Sequence, residues 1–197
     1  IPERKEFLAR YGESQAAAGK RATPYWRTKD HANGYCYRTD AVRFCHKVFA
    51  LRAGIWMLGD NEFAWLDADV VTFRPVPADI ITKLTKDCDV AYLGRDRGSS
   101  ECGFVGFRSP YGVTVVEDWC AQYTTGKIFE LPEWHDSFVF DHVRQQHPEI
   151  RFRSLTSGMG HVWCQSPLAD FMDHRNGPRK SLDHSPEMEA KIATVRK

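Results

Sequence analysis

Two aspartates stand one residue apart in Trp65-Leu66-Asp67-Ala68-Asp69-Val70-Val71, near the end of an apolar run. Side chains at i and i+2 of an extended chain point to the same side. Asp67 and Asp69 therefore bring two carboxylates to one spot where a strand stops. Like charges held together repel, and a hard divalent cation such as magnesium or manganese relieves the repulsion. The plain alternative is a polar pair at a strand-to-loop junction, one member capping the next turn. Other groups could join such chemistry. Arg43 and Lys47, four apart, share a helix face, either as a solvated basic edge or turned toward an anion. Glu101 opens Glu101-Cys102-Gly103-Phe104-Val105-Gly106-Phe107, a strand whose glycines allow close approach of a ligand or another backbone. Glu133-Trp134-His135-Asp136-Ser137 gathers polar and aromatic groups before a helix, where the dipole favours a carboxylate anion. Asp136 is there either an N-cap or a group held out for reaction. His174-Arg175-Asn176-Gly177-Pro178-Arg179-Lys180 spaces an imidazole, a glycine and a lysine three residues apart. By itself the segment reads equally as a polar surface loop, though these residue types are consistent with a metal and a phosphate: imidazole suits manganese better than magnesium, glycine permits close backbone approach, and lysine is a good phosphate counter-charge. His31, His46, His142, His147, His161 and His184 have no matching partners and read as surface or core residues.

These groups need elements to place them. A helix is expected over 3–11 and a loop over 19–34, punctuated by Pro24, Asn33 and Gly34. Ala41, Val42, Phe44, Cys45, Val48, Phe49 and Leu51 recur at helical spacing, with Thr39 or Asp40 as N-cap and Gly54 as the stop. A buried strand over 63–71 carries the aspartates and ends before Pro75 and Pro77. A short helix over 78–86, strands over 89–93 and 103–107, and a helix over 111–123 follow. The helix over 137–146 begins at a cap on Asp136 or Ser137. An edge strand over 150–155 comes last, before a polar helix or tail. Alternating helices and strands predict an α/β layered domain, with ligands beyond the carboxyl ends of the strands.

At two places the sequence resembles a known family. Phe63-Ala64-Trp65-Leu66-Asp67-Ala68-Asp69-Val70-Val71 is similar to the D-x-D strand of GT-A glycosyltransferases. Residues 174–180 fit the H-x-x-G-x-x-K pattern that glycogenin-like and galactosyltransferase-like retaining families carry after their last core strand. The resemblance covers roughly 40–180. It implies a GT-A fold, the Rossmann-like nucleotide-diphospho-sugar transferase architecture, with a mixed sheet flanked by helices. It implies a metal held by Asp67, Asp69 and His174, with Asp67 also touching the donor. Gly177, Lys180, Arg43 and Lys47 would meet the donor phosphates or sugar, and Glu101 would bind sugar hydroxyls. Trp134 would stack on a sugar ring beside His135. Asp136 would face the anomeric carbon, as general base in an inverting enzyme or as a donor-sugar contact in a retaining one. The implied cofactors are Mn2+ or Mg2+ and a nucleotide-diphosphate sugar, UDP-linked. The acceptor could be a glycan, lipid, protein or modified nucleic acid. Two departures stand out: Ser181 follows Lys180 where proline and tryptophan are usual, and nothing before Thr39 reads as the N-terminal strand that holds the nucleotide base.

The bulk properties bound the remaining readings. The 197 residues suit one domain with a sizeable core, divided as a segment 1–38, a catalytic domain 39–180 and a tail 181–197. A net charge of +1 argues against a broadly basic nucleic-acid-binding surface. No apolar run approaches the ~20 residues of a membrane span, and no charged-then-apolar signal peptide opens the sequence. None of the six cysteines forms a CxxC pair, and Cys45, Cys102 and Cys164 sit in apolar segments. Six free thiols and a cytoplasmic setting are expected. Two rival functions remain: a metal-dependent nucleotidyltransferase or phosphohydrolase, which normally gathers more carboxylates for a second ion, and a non-catalytic glycosyltransferase relic that binds nucleotide or sugar.

Overall fold

A computed structural model describes residues 1–20, 34–59, 61–156 and 162–175. The chain divides into two compact units that interleave in sequence.

The first unit comprises residues 1–59 and 113–147 and is built from helices. Helix α1, Pro2–Tyr11, starts with proline in its first turn and carries Glu3 there and Arg10 in its last, each matched to the helix dipole. Helix α2, Ala41–Leu58, is capped as expected by Asp40, whose carboxylate accepts the Arg43 N–H at 2.9 Å. It does not stop at Gly54. A helical glycine costs only about 1 kcal/mol, and Leu51 and Ile55 on either side of it are buried, so packing carries the helix through. The stop falls at Gly59, whose φ of 62° is open to glycine without strain. Most of helix α4, Tyr111–Thr124, and all of α5, Asp136–Gln146, belong to this unit. The Phe7 ring joins the pieces, with ring centroids of Tyr11, Phe49, Tyr123 and Phe129 between 5.0 and 6.3 Å away. Helix α5 also differs from expectation. Its N-cap is His135, and Asp136 is already helical, so neither Asp136 nor Ser137 caps it.

The second unit comprises the described residues of 61–112 and 148–175. Four strands form a mixed sheet in the order β1-β4-β3-β5. Strand β1, Phe63–Leu66, runs antiparallel to β4, Glu101–Phe107, which is antiparallel to β3, Val90–Leu93. Strand β5, Phe152–Ser154, pairs in parallel with β3 and forms the expected edge. Strand β4 is buried along its whole length, and helix α3, Ile80–Thr85, packs on β3 and β4. Leu84, Leu93, Phe104, Trp163, Leu168 and Met172 make the core beside the sheet. A separate antiparallel pair joins β2, Val70–Thr72, to β6, Met172–His174. The single strand expected over 63–71 is thus two strands in two sheets. The backbone between them turns, closed by the Val70 N–H on the Asp67 carbonyl at 3.1 Å. Two adjacent carboxylates have no place inside a buried sheet, so the chain leaves β1 where they begin.

The architecture is α/β with a mixed sheet, compatible with a Rossmann-like fold. Among the described residues no strand precedes β1, and no helix is long and apolar enough to cross a membrane. The loop expected over 19–34 lies mostly, and the segment 181–197 wholly, outside the described residues.

Candidate metal centre

The turn Asp67–Asp69 sits where the two sheets of the second unit meet along the chain. On the β1 side, Leu66 pairs with Phe104, and the Asp67 N–H donates to the Gly103 carbonyl at 2.9 Å. On the β2 side, Val70 pairs with His174, and the Arg175 N–H donates to the Asp69 carbonyl at 3.0 Å. Register alone therefore carries His174 to the D-x-D turn. One ligand atom from each of Asp67, Asp69 and His174 lies within 4.8 Å of the other two. His174 Nε2 is 2.9 Å from Asp69 Oδ1 and 3.7 Å from Asp67 Oδ2. The imidazole side chain is only 3% exposed, while those of Asp67 and Asp69 are 22% and 29% exposed. The cluster is anchored on its histidine side and open to solvent on its carboxylate side. Two carboxylates and an imidazole form a donor set that suits manganese, with magnesium a poorer match for the ring nitrogen. An open side is what a catalytic ion needs and a purely structural one does not.

Neighbours fix these ligands. The Trp65 indole N–H donates to Asp67 Oδ1 at 2.5 Å. The buried Trp163 ring lies 5.3 Å from the His174 ring, centroid to centroid. Strand β4 supplies Glu101 and Gly103. Glu101 pairs with Arg95 and accepts the Gly103 N–H at 3.2 Å. Its carboxylate faces His174, with Oε1 at 3.5 Å from Nδ1. Strand spacing points to Asp67 and Asp69, the family resemblance of 174–180 points to His174, and the glycines of 101–107 mark a place of close approach. Nothing in the sequence pointed to Trp65, Arg95 or Trp163 as supports, because these contacts depend on strand register.

Comparison with protein-family models, with curated proteins and with solved structures gave no match.

The remaining candidate residues fall elsewhere. Gly177 and Lys180 lie outside the described residues. Lys47 and Asp136 form a buried ion pair within the first unit, their side chains 11% and 8% exposed. Asp136 Oδ1 also accepts the Ser137 N–H at 2.9 Å, so both of its oxygens are engaged. Burial opposes ionisation of Asp136, but Lys47 and His135 outweigh it and hold its carboxyl well below the usual carboxylate range. Arg43 reaches the Tyr35 hydroxyl, 3.4 Å away, which itself donates to Asp40 at 2.8 Å. His135 is buried between carboxylates, with Glu133 Oε2 at 2.8 Å from Nε2 and Asp136 Oδ1 at 3.8 Å from Nδ1. Glu133 in turn binds Arg38 at 2.6 Å. Burial lowers the His135 pKa, and the two carboxylates more than reverse that, leaving it raised. Trp134 is 4% exposed, with its ring 5.0 Å from Phe129 and its N–H on the Leu131 carbonyl. Its ring is a core element of the first unit and offers no open face for a sugar. The string Glu133–Asp136 is a buried ionic chain rather than a cluster held out to solvent.

Proposed function

We propose that this chain is a metal-dependent glycosyltransferase of GT-A type, in which Asp67, Asp69 and His174 hold Mn2+ or Mg2+. The observation that carries the reading is the return of His174, 105 residues along the chain, to within 2.9 Å of Asp69. A turn of two acids needs no such partner, and the same three residues are those the family resemblance names. A bound divalent ion would neutralise the charge that develops on a departing nucleoside diphosphate. The chain's own residues orient the site. The Trp65 N–H holds one Asp67 oxygen in place, and β2–β6 pairing holds the imidazole against the turn. Gly177 and Lys180 follow His174 closely enough in sequence to meet the donor diphosphate, taken as UDP-linked. The acceptor is a glycan, lipid, protein or modified nucleic acid. The reading leaves Asp136 and Lys47 out of the reacting set, since each neutralises the other. It favours retention of configuration, in which no protein base is required at that point. Buried thiols at Cys36, Cys45, Cys88 and Cys120 support a reducing, cytoplasmic setting.

The experiment pairs Mn2+ binding with product analysis. Manganese titration followed by electron paramagnetic resonance should show one site, lost in Asp69→Asn. Incubation with UDP-sugars and manganese should release UDP together with a glycoside or free sugar. Release of phosphate or pyrophosphate would instead make the chain a phosphohydrolase or nucleotidyltransferase. Metal-independent binding without turnover would make it a relic.

A further inference from the structure

A metal-ligating histidine turns one ring nitrogen to the ion, and the other usually donates to a carboxylate or carbonyl that fixes the tautomer. His174 has its two nitrogens in different surroundings. Nε2 lies among the D-x-D carboxylates, 2.9 Å from Asp69 Oδ1. Nδ1 is buried and makes no hydrogen bond, yet Glu101 Oε1 is 3.5 Å from it. Glu101 is not free to wander. Arg95 holds its other oxygen, and the Gly103 N–H holds Oε1 itself. Its side chain is 11% exposed. The ring fits against β4 because position 103 lacks a side chain. A Cβ there would stand 2.7 Å from His174 Nδ1 and Cε1 and 3.3 Å from Glu101 Oε1.

Carboxylates therefore flank both nitrogens of one imidazole, and a neutral ring has a single proton to give. We propose that Glu101 is the positioning residue of this centre: its carboxylate accepts a hydrogen bond from Nδ1–H and so keeps the ring's single proton on Nδ1, leaving the Nε2 lone pair to face a cation between Asp67 and Asp69. The inference rests on the metal reading of those three ligands. It replaces the expected role of Glu101 as a contact for sugar hydroxyls, because both of its oxygens are committed to Arg95, Gly103 and His174. Arg95 and Gly103 become supports one step further out, the first anchoring the carboxylate and the second leaving room for the ring.

Two measurements on the full chain test this. In manganese titrations read by electron paramagnetic resonance, Glu101→Ala should weaken binding by the roughly 10–100-fold seen when a histidine ligand loses its outer partner. Glu101→Gln should fall between Glu101→Ala and the parent, since its amide oxygen still accepts but carries no charge. The zinc-loaded parent, which is diamagnetic, should show the His174 ring proton on Nδ1 in nitrogen–proton correlation spectra, assigned by its loss in His174→Gln. This second readout needs no Glu101 variant and survives any folding defect in one. Unchanged manganese affinity in both Glu101 variants, or a zinc-loaded ring protonated at Nε2, overturns the inference while leaving the metal site standing. Absence of manganese binding by the parent overturns the metal reading and this inference together.

Discussion

At the scale of single residues, the site depends as much on an absent side chain as on those present. Gly103→Ala would place a methyl 2.7 Å from the His174 ring, a separation that real contacts do not tolerate. Either β4 or the imidazole must move, and the imidazole, on a strand of three residues, is the easier to displace. Overpacking of this kind costs about 1–3 kcal/mol. Gly106→Ala is the matched control on the same strand, because its Cβ would meet the Thr85 methyl at 3.2 Å, a contact that a small shift relieves. Gly103→Ala should lose at least about tenfold in manganese affinity, by the same outer-partner logic, while Gly106→Ala keeps it. Equal affinities in the two variants would show that the ring is not held against β4. A second residue prediction concerns Lys47 and Asp136. Stranding one member of a buried pair typically costs about 3–5 kcal/mol. Asp136→Ala should reduce stability in urea denaturation by that order, whereas a solvent-held catalytic carboxylate would leave stability unchanged.

At the scale of elements, the mixed sheet has a short parallel edge, and one carboxylate fastens it. Asp89 is 7% exposed at its side chain and accepts from the Arg151 backbone N–H at 2.9 Å, as well as from its guanidinium. Arg151 is itself 64% exposed, so most of the benefit comes from the buried acceptor meeting a backbone donor. Asp89→Ala should cost about 1–3 kcal/mol. It should also speed hydrogen exchange at Leu155, whose N–H bonds the Tyr92 carbonyl across β3 and β5. Unchanged exchange at Leu155 would place the hold on β5 elsewhere. Periodicity made most elements legible, because buried helix faces and strands leave 3.6- and 2-residue signatures whatever their neighbours. Gly54 misled because a local propensity of about 1 kcal/mol yields to apolar residues packed on both sides. The break after Leu66 was hidden because Val70 and Val71 resume the apolar run, so composition does not register a change of sheet. Asp67 and Asp69 could be read from spacing and His174 from the resemblance of residues 174–180, but Glu101's contact with His174 could not, since it arises only where β1 pairs with β4 and β2 with β6. Trp134 failed for a related reason: an aromatic ring within a polar string looks the same whether it faces solvent or, as here, Phe129 and the Leu131 carbonyl.

At the scale of the whole molecule, the ionic chain Arg38–Glu133–His135–Asp136–Lys47, part-exposed at Arg38 and buried at Glu133, His135 and Asp136, sets how stability should depend on pH. Asp136, Glu133 and Asp89 all have carboxyls lowered from their ordinary values; burial opposes this in Asp136 and Glu133, and the cationic partners Lys47, Arg38 and His135 prevail, while in Asp89 the Arg151 hydrogen bond is the largest cause. A depressed carboxyl contributes stability that is present above its unfolded value, near about 4, and lost as pH falls toward the folded one. His135 works in the opposite sense. Its raised pKa contributes stability that is complete below its unfolded value, near about 6.5, and lost as pH rises through the folded one. The two effects together place maximum stability between about pH 4.5 and 6.5, with a decline on each side. Urea denaturation from about pH 3 to 9 should trace this dome, and His135→Gln should remove much of the alkaline limb while leaving the acid limb. Glu133 and Asp136 would then lose a cationic neighbour but keep Arg38 and Lys47, which is why the acid limb should persist. A parent whose stability stays level from about pH 6 to 9, unchanged by His135→Gln, would mean that the ring is neutral in the fold. In that case the two carboxylates beside it would be neutralised by Arg38 and Lys47 alone.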